Sequence, residues 1–267
     1  MAKKDNSYSA SASALGYAYQ QRYALYWLLS SPEDAECQIE CLDDIDLRED
    51  GTATLASLKH RLKGHQLTDL DKDFWKSLRI WLEFYNRDPR PTNKCRFCLV
   101  TTSPISELSL LKGFLATEKA SESSELELIK KAKGSKDILV KKVGEELDSL
   151  PSSITRDFFN RITIFDSEPR IEDLPCKIQN TFLKTVRPKF RAEVYQSLEG
   201  WWFDLTIKMM AGQRNIPING MEISEILAHY ASEFQEDNLP VTFENSEPDQ
   251  EPDSENDQRY FVKQLRS

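Results

Sequence analysis

No apolar run in this 267-residue chain approaches the roughly 18 residues that a membrane-crossing helix needs, so a spanning segment is not expected. The first fourteen residues carry Lys3 and Lys4 followed by small polar side chains instead of an apolar core, which argues against secretion and for the cytoplasm. Glycine is scarce, nine residues in all, and no GxxxxGK[ST] phosphate loop occurs, so nucleotide hydrolysis is not expected of this chain. Histidine is scarcer still: His60, His65 and His229 are the only three, and none has a sequence-placed nucleophile or acid that would make it a general base. The five cysteines, at 37, 41, 95, 98 and 176, are an odd set in a chain too large to be a disulfide scaffold. Cys37, Cys41, Cys95 and Cys98 could be read as four zinc thiolates. Both pairs sit in apolar, strand-like segments without the turns that shape a metal knuckle, which favours buried free thiols.

What is present is acid in excess, 44 acidic against 35 basic side chains for a net charge of -9. The stretch Glu244 to Asp257 holds seven of the acids and no base, which leaves -2 for the rest of the chain. Such a stretch, with no apolar residue but proline, cannot offset ordering entropy and is expected to be solvated. Basic residues bunch at Lys59, Arg61 and Lys63, between Lys130 and Lys142, and at Arg187, Lys189 and Arg191. Each bunch is either an ordinary wet helix face or part of a phosphate-tracking groove.

Periodicity predicts a mostly buried helix over Ser13 to Ser30, then two strands over Cys37–Leu47 and Thr52–His60, joined across an Asp50-Gly51 hairpin signal. Thr68-x-x-Asp71 opens a further helix in a capping-box-like pattern. Phe74, Leu78, Trp81, Leu82 and Tyr85 form its apolar stripe, and Asn86 with the prolines at 89 and 91 ends it. Arg96–Thr102 reads as a buried strand reached through that crossover helix. Residues 106–150 turn helical and charged, Ile162–Phe165 reads as one more strand, and Lys189–Met210 and Met221–Phe234 read as helices. The expected fold class is α/β (α+β), a mixed sheet flanked by helices and followed by a mostly helical module. The expected division is 1–150, a helical interaction or oligomerisation module at 151–243, and an acidic tail at 244–267. Trp201 and Trp202, adjacent in an amphipathic helix, are core residues first and partner anchors second.

The hairpin carries the candidate chemistry. A turn centred on residues 49–51 pairs even positions of the first strand with odd positions of the second, so Glu40 and Asp44 are expected to share a face with Ser57 and Lys59. Two carboxylates and an ammonium on one face can hold a divalent cation beside a phosphodiester. The plainer alternative is a wet face on which Glu40 and Lys59 form a surface cross-strand pair.

Several motifs carry a resemblance: Gly16-Tyr17-x-Tyr19-Gln20, Glu40-x-x-Asp43-Asp44-Ile45, Lys59-His60, Phe74-Trp75-Lys76-Ser77-Leu78-Arg79-Ile80-Trp81 and Val100-Thr101-Thr102. Over about residues 14–102 they resemble Lamassu-type anti-phage defence nuclease subunits (LmuA-like). These have a restriction-endonuclease-like PD-(D/E)xK domain of the kind shared with cyclic-oligonucleotide-activated defence nucleases. A second stretch, from Phe190-Arg191-Ala192-Glu193 through Trp201-Trp202 to Leu239-Pro240, resembles the C-terminal interaction region of defence proteins that work beside an SMC-like ATPase.

The resemblance implies Asp44 as metal ligand, Glu40 as supporting acid, Lys59 as catalytic lysine and Gln20 as a helix residue reaching into the site. Asp43 is the weaker of the adjacent aspartates because the pleat points it away from Glu40. Ser57 departs from the pattern, which usually has Gln, Glu or Asp there, and a hydroxyl is the weaker ligand. Lys59, His60, Arg61 and Lys63 are the expected DNA contacts.

The implied function is an Mg²⁺-dependent (or Mn²⁺-dependent) DNA endonuclease acting on double-stranded DNA in defence against phage or plasmids. The implied regulation is restraint by an SMC-like ATPase and an accessory subunit, and activation on release and self-association into a homo-oligomer such as a tetramer. The alternative function is a catalytically weak or inactive endonuclease-like adaptor, degenerate at Ser57, that docks the ATPase complex.

Overall fold

The computed structural model describes residues 10–87, 94–118 and 120–234. The acidic stretch Glu244 to Asp257 and the prolines at 89 and 91 lie outside these residues. A single six-stranded mixed sheet forms the centre, in the order β5-β4-β3-β2-β1-β6. Helix α1 (Ala10–Ser30) precedes β1 (Glu36–Ile39), β2 (Ile45–Glu49) and β3 (Thr52–Lys59). Helix α2 (Lys72–Tyr85) then crosses over to β4 (Cys95–Thr101). A short 3-10 turn at Leu110–Phe114 leads to α3 (Glu122–Lys133), α4 (Ile138–Ser149) and α5 (Ser152–Phe159). Strand β5 (Ile162–Phe165), α6 (Leu174–Phe182), α7 (Arg191–Met210), β6 (Ile218–Asn219) and α8 (Gly220–Glu233) complete the fold.

The β2–β3 hairpin forms where the Asp-Gly signal placed it. Asp50 and Gly51 both take positive φ, 49° and 69°, as a two-residue turn that follows the right-handed strand twist requires. Glu49 pairs with Thr52 and Ile45 with Ala56, so even positions face odd ones as expected. Strands β3, β4 and β5 are mutually parallel, with α2 as the β3-to-β4 crossover.

The expected strand over 37–47 is corrected. It is two strands, β1 and β2, antiparallel to each other and separated by a loop at residues 40–44. Helix α2 begins at Lys72 with Asp71 as N-cap, its side chain accepting the Asp73 N–H, and not at Thr68; Asn86 ends it as expected.

Two apolar layers cover the sheet. On one face α1, α6, α7 and α8 pack Tyr19, Leu25, Leu28, Leu198 and Trp202 against Cys37, Ile45 and Leu58. On the other, α2 to α5 pack Phe74, Trp81, Leu128 and Phe158 against Leu55, Phe97 and Leu99. Trp202 is core, as expected, and its indole N–H donates to the Gln21 carbonyl of α1 at 2.7 Å. The Pro151 boundary does not divide the sheet, because β5 and β6, both beyond it, join the strands that precede it. Glycine at 220 allows that closure: a Cβ there would stand 2.6 Å from the Pro32 carbonyl oxygen and 2.8 Å from the Glu33 Cα. Among the described residues no helix is long and apolar enough to cross a membrane.

Candidate active site

The site lies at the carboxyl end of β3, where β2 begins and β1 ends. That edge, at the ends of parallel strands, is where open α/β sheets generally hold ligands. The β2–β3 ladder stops at the Ile45–Ala56 pair, so Asp44 stands opposite Ser57 just past its end. Asp44 Oδ2 accepts the Leu58 backbone N–H at 2.6 Å, lies 3.4 Å from the Lys59 ammonium nitrogen and 3.5 Å from the Ser57 hydroxyl. Lys59 and Asp44 are both mostly shielded from solvent, which strengthens this ion pair relative to one on the open surface.

Glu40 comes to the same place by a different route from the one expected. It is not in a strand: it sits just past β1 with φ of 54°, unusual for a residue with a side chain, and its N–H donates to the Asp44 carbonyl at 3.1 Å, closing the loop. Its carboxyl is held above the ordinary range, first by partial burial and then by the charge of Asp44, against the hydrogen bond to Gln20 and the charge of Lys59. Gln20 is buried on α1 and reaches across to Glu40. The structure therefore brings Gln20, Glu40, Asp44 and Lys59 together.

Asp46, which the sequence pattern did not single out, holds the loop in shape. It is a buried carboxylate whose two oxygens accept the Leu42 N–H at 2.9 Å and the Asp43 N–H at 3.3 Å. No local signal marks it: in Ile45-Asp46-Leu47-Arg48-Glu49 it falls at the polar position of an alternating strand, and only burial demands its local partners.

Asp43 lies in the 40–44 loop and not on a pleated strand, so the pleat argument does not apply to it; its carboxylate accepts the Trp81 indole N–H at 2.6 Å. Burial first, then the charge of Asp44, raises its carboxyl to about 6. A carboxyl that binds its proton more tightly when folded stabilises the fold most below its unfolded value, and that contribution is lost as pH rises through about 4 to 6. Asp43→Asn keeps an acceptor for Trp81 and removes the titration. Between pH 4 and 7 the melting temperature of the variant is expected to climb relative to wild type, and parallel curves would refute this assignment.

Ser57 is 2% exposed and backed by Ser77 of α2, 1% exposed, whose hydroxyl donates to the Ser57 oxygen at 2.8 Å; Ser57 can in turn donate to Asp44. A larger side chain at 57 would enter space that Ser77 fills, so the departure at Ser57 is packed into the fold. Among the described residues no group of three or more His, Cys, Asp or Glu is arranged to hold a metal ion. Mg²⁺, however, commonly takes one or two carboxylates and completes its shell with water and substrate phosphate. Glu40 and Asp44 are the two carboxylates at the ends of the 40–44 loop.

The expected DNA contacts separate. Lys63 is exposed. Arg61 is paired with Asp73, and its N–H donates to the Thr102 hydroxyl at 2.9 Å. His60 is corrected from a surface position: its side chain is only 6% exposed, lies against the Tyr19 ring at 5.0 Å between centroids, and accepts the Ile171 N–H at 3.4 Å. Burial, and then the charge of Arg170, holds its pKa below the usual histidine range, consistent with that acceptor role.

His65 does gain neighbours that the sequence could not place, Ser103 at 3.1 Å and Asp71 at 3.4 Å. Ser103 is 2% exposed and Asp71 caps α2, so this trio fastens the β3–α2 connection and presents no nucleophile to solvent. The cysteines are free thiols: Cys37, Cys95 and Cys98 are buried as expected, whereas Cys41 and Cys176 are exposed. Burial raises Cys37 and Cys98 to about 12 and keeps them protonated.

No protein-family model matches the chain, and neither does any curated protein. Among solved structures it is similar to the Cap4 SAVED/CARF-domain containing receptor of Moraxella osloensis, at 18% identity and a TM-score of 0.47, over 82% of this chain and 48% of that one. It is likewise similar to the Cap4 SAVED/CARF-domain containing receptor of Acinetobacter baumannii with the cyclic trinucleotide 3'3'3'-cAAA, at 18% identity and a TM-score of 0.44, over 82% of this chain and 45% of that one. The chain spans about half the length of these solved chains.

The expected kinship with Lamassu-type nuclease subunits is thereby corrected: the neighbours are Cap4 receptors. Part of what carried that resemblance has a plainer origin. Phe74, Trp75, Leu78 and Trp81 are fully buried, the packing any crossover helix needs against a sheet. The SMC-like partners and their restraint of the chain had been implied by that kinship alone.

Proposed function

We propose that the chain is a metal-dependent phosphodiesterase of the restriction-endonuclease-like PD-(D/E)xK kind that cleaves double-stranded DNA. The observation that carries this reading is the convergence on Asp44 of the Lys59 ammonium, with Glu40 and its Gln20 partner beside it, at the carboxyl edge of parallel strands. Glu40 and Asp44 would hold Mg²⁺ or Mn²⁺ with help from a substrate phosphate. A bound ion would polarise the phosphodiester and lower the pKa of an attacking water. Lys59, fixed by Asp44, places positive charge where the phosphorane-like transition state accumulates negative charge. Asp44 is itself held in place by the Leu58 N–H, so its orientation is set by the backbone of β3. Gln20, on α1, favours the ionised form of the Glu40 carboxyl.

The test is plasmid cleavage with Mg²⁺ or Mn²⁺ against a chelator. Wild-type protein is expected to nick or linearise supercoiled DNA only with metal, and Asp44→Asn and Glu40→Gln to lose most of that activity. Cutting that survives the chelator, or no cutting with either metal, overturns the reading.

A further inference from the structure

The face of α2 turned away from the site forms, with α4, a second basic surface. The groove between them encloses about 700 Å³ and is lined by Lys72, Arg79, Lys136 and Lys142, with Asp137 and Glu146 as its acids. Lys72 and Arg79 are each paired, with Asp137 at 2.9 Å and Glu83 at 4.0 Å, so the positive excess rests on Lys136 and Lys142. The floor is apolar, formed by Leu139, Val143 and Ile138, the last 72% exposed, an unusual cost for an isoleucine without a partner.

The groove is built into the fold: Lys72 of α2 is 2.9 Å from Asp137, which caps α4 by accepting the Leu139 and Val140 N–H groups. Those caps leave the α4 terminus already satisfied, so the positive character comes from side chains. Among the described residues Lys136 and Lys142 have no ion-pair partner within 4.0 Å.

This surface is continuous with the candidate active site through α2. At roughly 100° per residue, Ser77 and Trp81 point to the site, Lys76 follows around the solvent face, and Lys72 and Arg79 reach the groove. Crossing a helix about 10 Å wide matches roughly three phosphates of one DNA strand.

We infer that the α2–α4 groove is a second DNA-backbone site, which holds the duplex flank while the scissile phosphate lies at Lys59. This rests on the proposed function and adds where its substrate is gripped. The groove has no aromatic side chain on which an unpaired base could stack, so its chemistry selects the phosphate backbone of a duplex without reading sequence.

The test uses full-length protein and a fluorescein-labelled duplex of about 20 base pairs, without metal so that nothing is cut, with anisotropy read across a salt series. Lys136→Glu with Lys142→Glu, both on the surface, is expected to weaken binding at least about tenfold and to flatten the plot of log affinity against log salt by roughly two contacts. The control is an equal charge change on the opposite layer, Lys184→Glu with Lys208→Glu, both exposed, which is expected to leave the slope alone. Unaltered melting temperatures show that the variants are folded.

If wild type binds the duplex and the two variants weaken it equally, net charge is responsible and the groove proposal is overturned. If an unpaired oligonucleotide of the same length binds more tightly and loses as much in the groove variant, the duplex assignment is overturned. Failure of wild type to bind any DNA would instead overturn the proposed function itself.

Discussion

Replacing Lys59 with alanine is expected to reduce DNA cleavage by about 100-fold or more, the usual consequence of removing one fixed charge-stabilising group from a reaction centre. The fold should survive it. Asp44 keeps its bond to the Leu58 N–H, and a partly shielded ion pair of this kind contributes on the order of 1 kcal/mol or less. DNA binding should be nearly unaffected, since the phosphate grip is assigned elsewhere, so the loss should fall on kcat and leave KM close to wild type. Lys59→Arg should not restore activity, because a broad planar fork on a three-carbon stem cannot occupy the position of a compact ammonium. A nicking time course on supercoiled plasmid, with anisotropy on uncut duplex in parallel, checks all three statements. Equal cutting by wild type and Lys59→Ala would remove the lysine from the mechanism.

Trp81 couples the core to the site, and its removal should have the largest effect on stability. Its ring is fully buried and stacked on Phe97 at 5.6 Å, while its indole N–H serves Asp43. Trp81→Ala is expected to cost about 3–5 kcal/mol, the range for deleting a large aromatic side chain from a packed core. Trp81→Phe keeps most of the packing but leaves the Asp43 carboxyl without its donor, at about 1–3 kcal/mol. Urea denaturation should show both losses as shifts in midpoint at similar slope. The Phe variant should additionally lose more stability at pH 7 than at pH 4, since only the ionised Asp43 suffers strongly from the missing donor. A Trp81→Phe variant as stable as wild type would mean that the indole N–H contributes nothing.

Much of the local structure was legible from particular residues. Asp50-Gly51 set the turn, the turn set the parity of the ladder, and parity put Asp44 opposite Ser57. The apolar stripe of Phe74, Leu78, Trp81 and Leu82 identified α2, and the apolar run before Pro104 identified β4. The segment from Cys37 to Leu47 was misread because its alternation of apolar and polar residues fits one long strand. Asp46 breaks that strand by turning its carboxylate onto its own backbone at Leu42 and Asp43, a competition between side chain and ladder that periodicity does not register. His60 was misplaced for a related reason: a polar residue after a strand reads as surface, and only the arrival of Tyr19 and residue Ile171 from distant parts of the chain buries it.

The sequence by itself determined α1, the β2–β3 turn, α2, β4 and β5, and the identity of the charged residues at the hairpin's end, because turn geometry and side-chain alternation act over a few residues. Only the tertiary structure decided that Glu40 reaches Asp44 through a loop, that Gln20 arrives from α1, that Ser77 stands behind Ser57, and that α2 and α4 share a basic groove. Apart from the 40–44 loop, those contacts join segments twenty or more residues apart, and their positions follow from how two apolar layers close on one sheet, a balance of packing that no local pattern encodes.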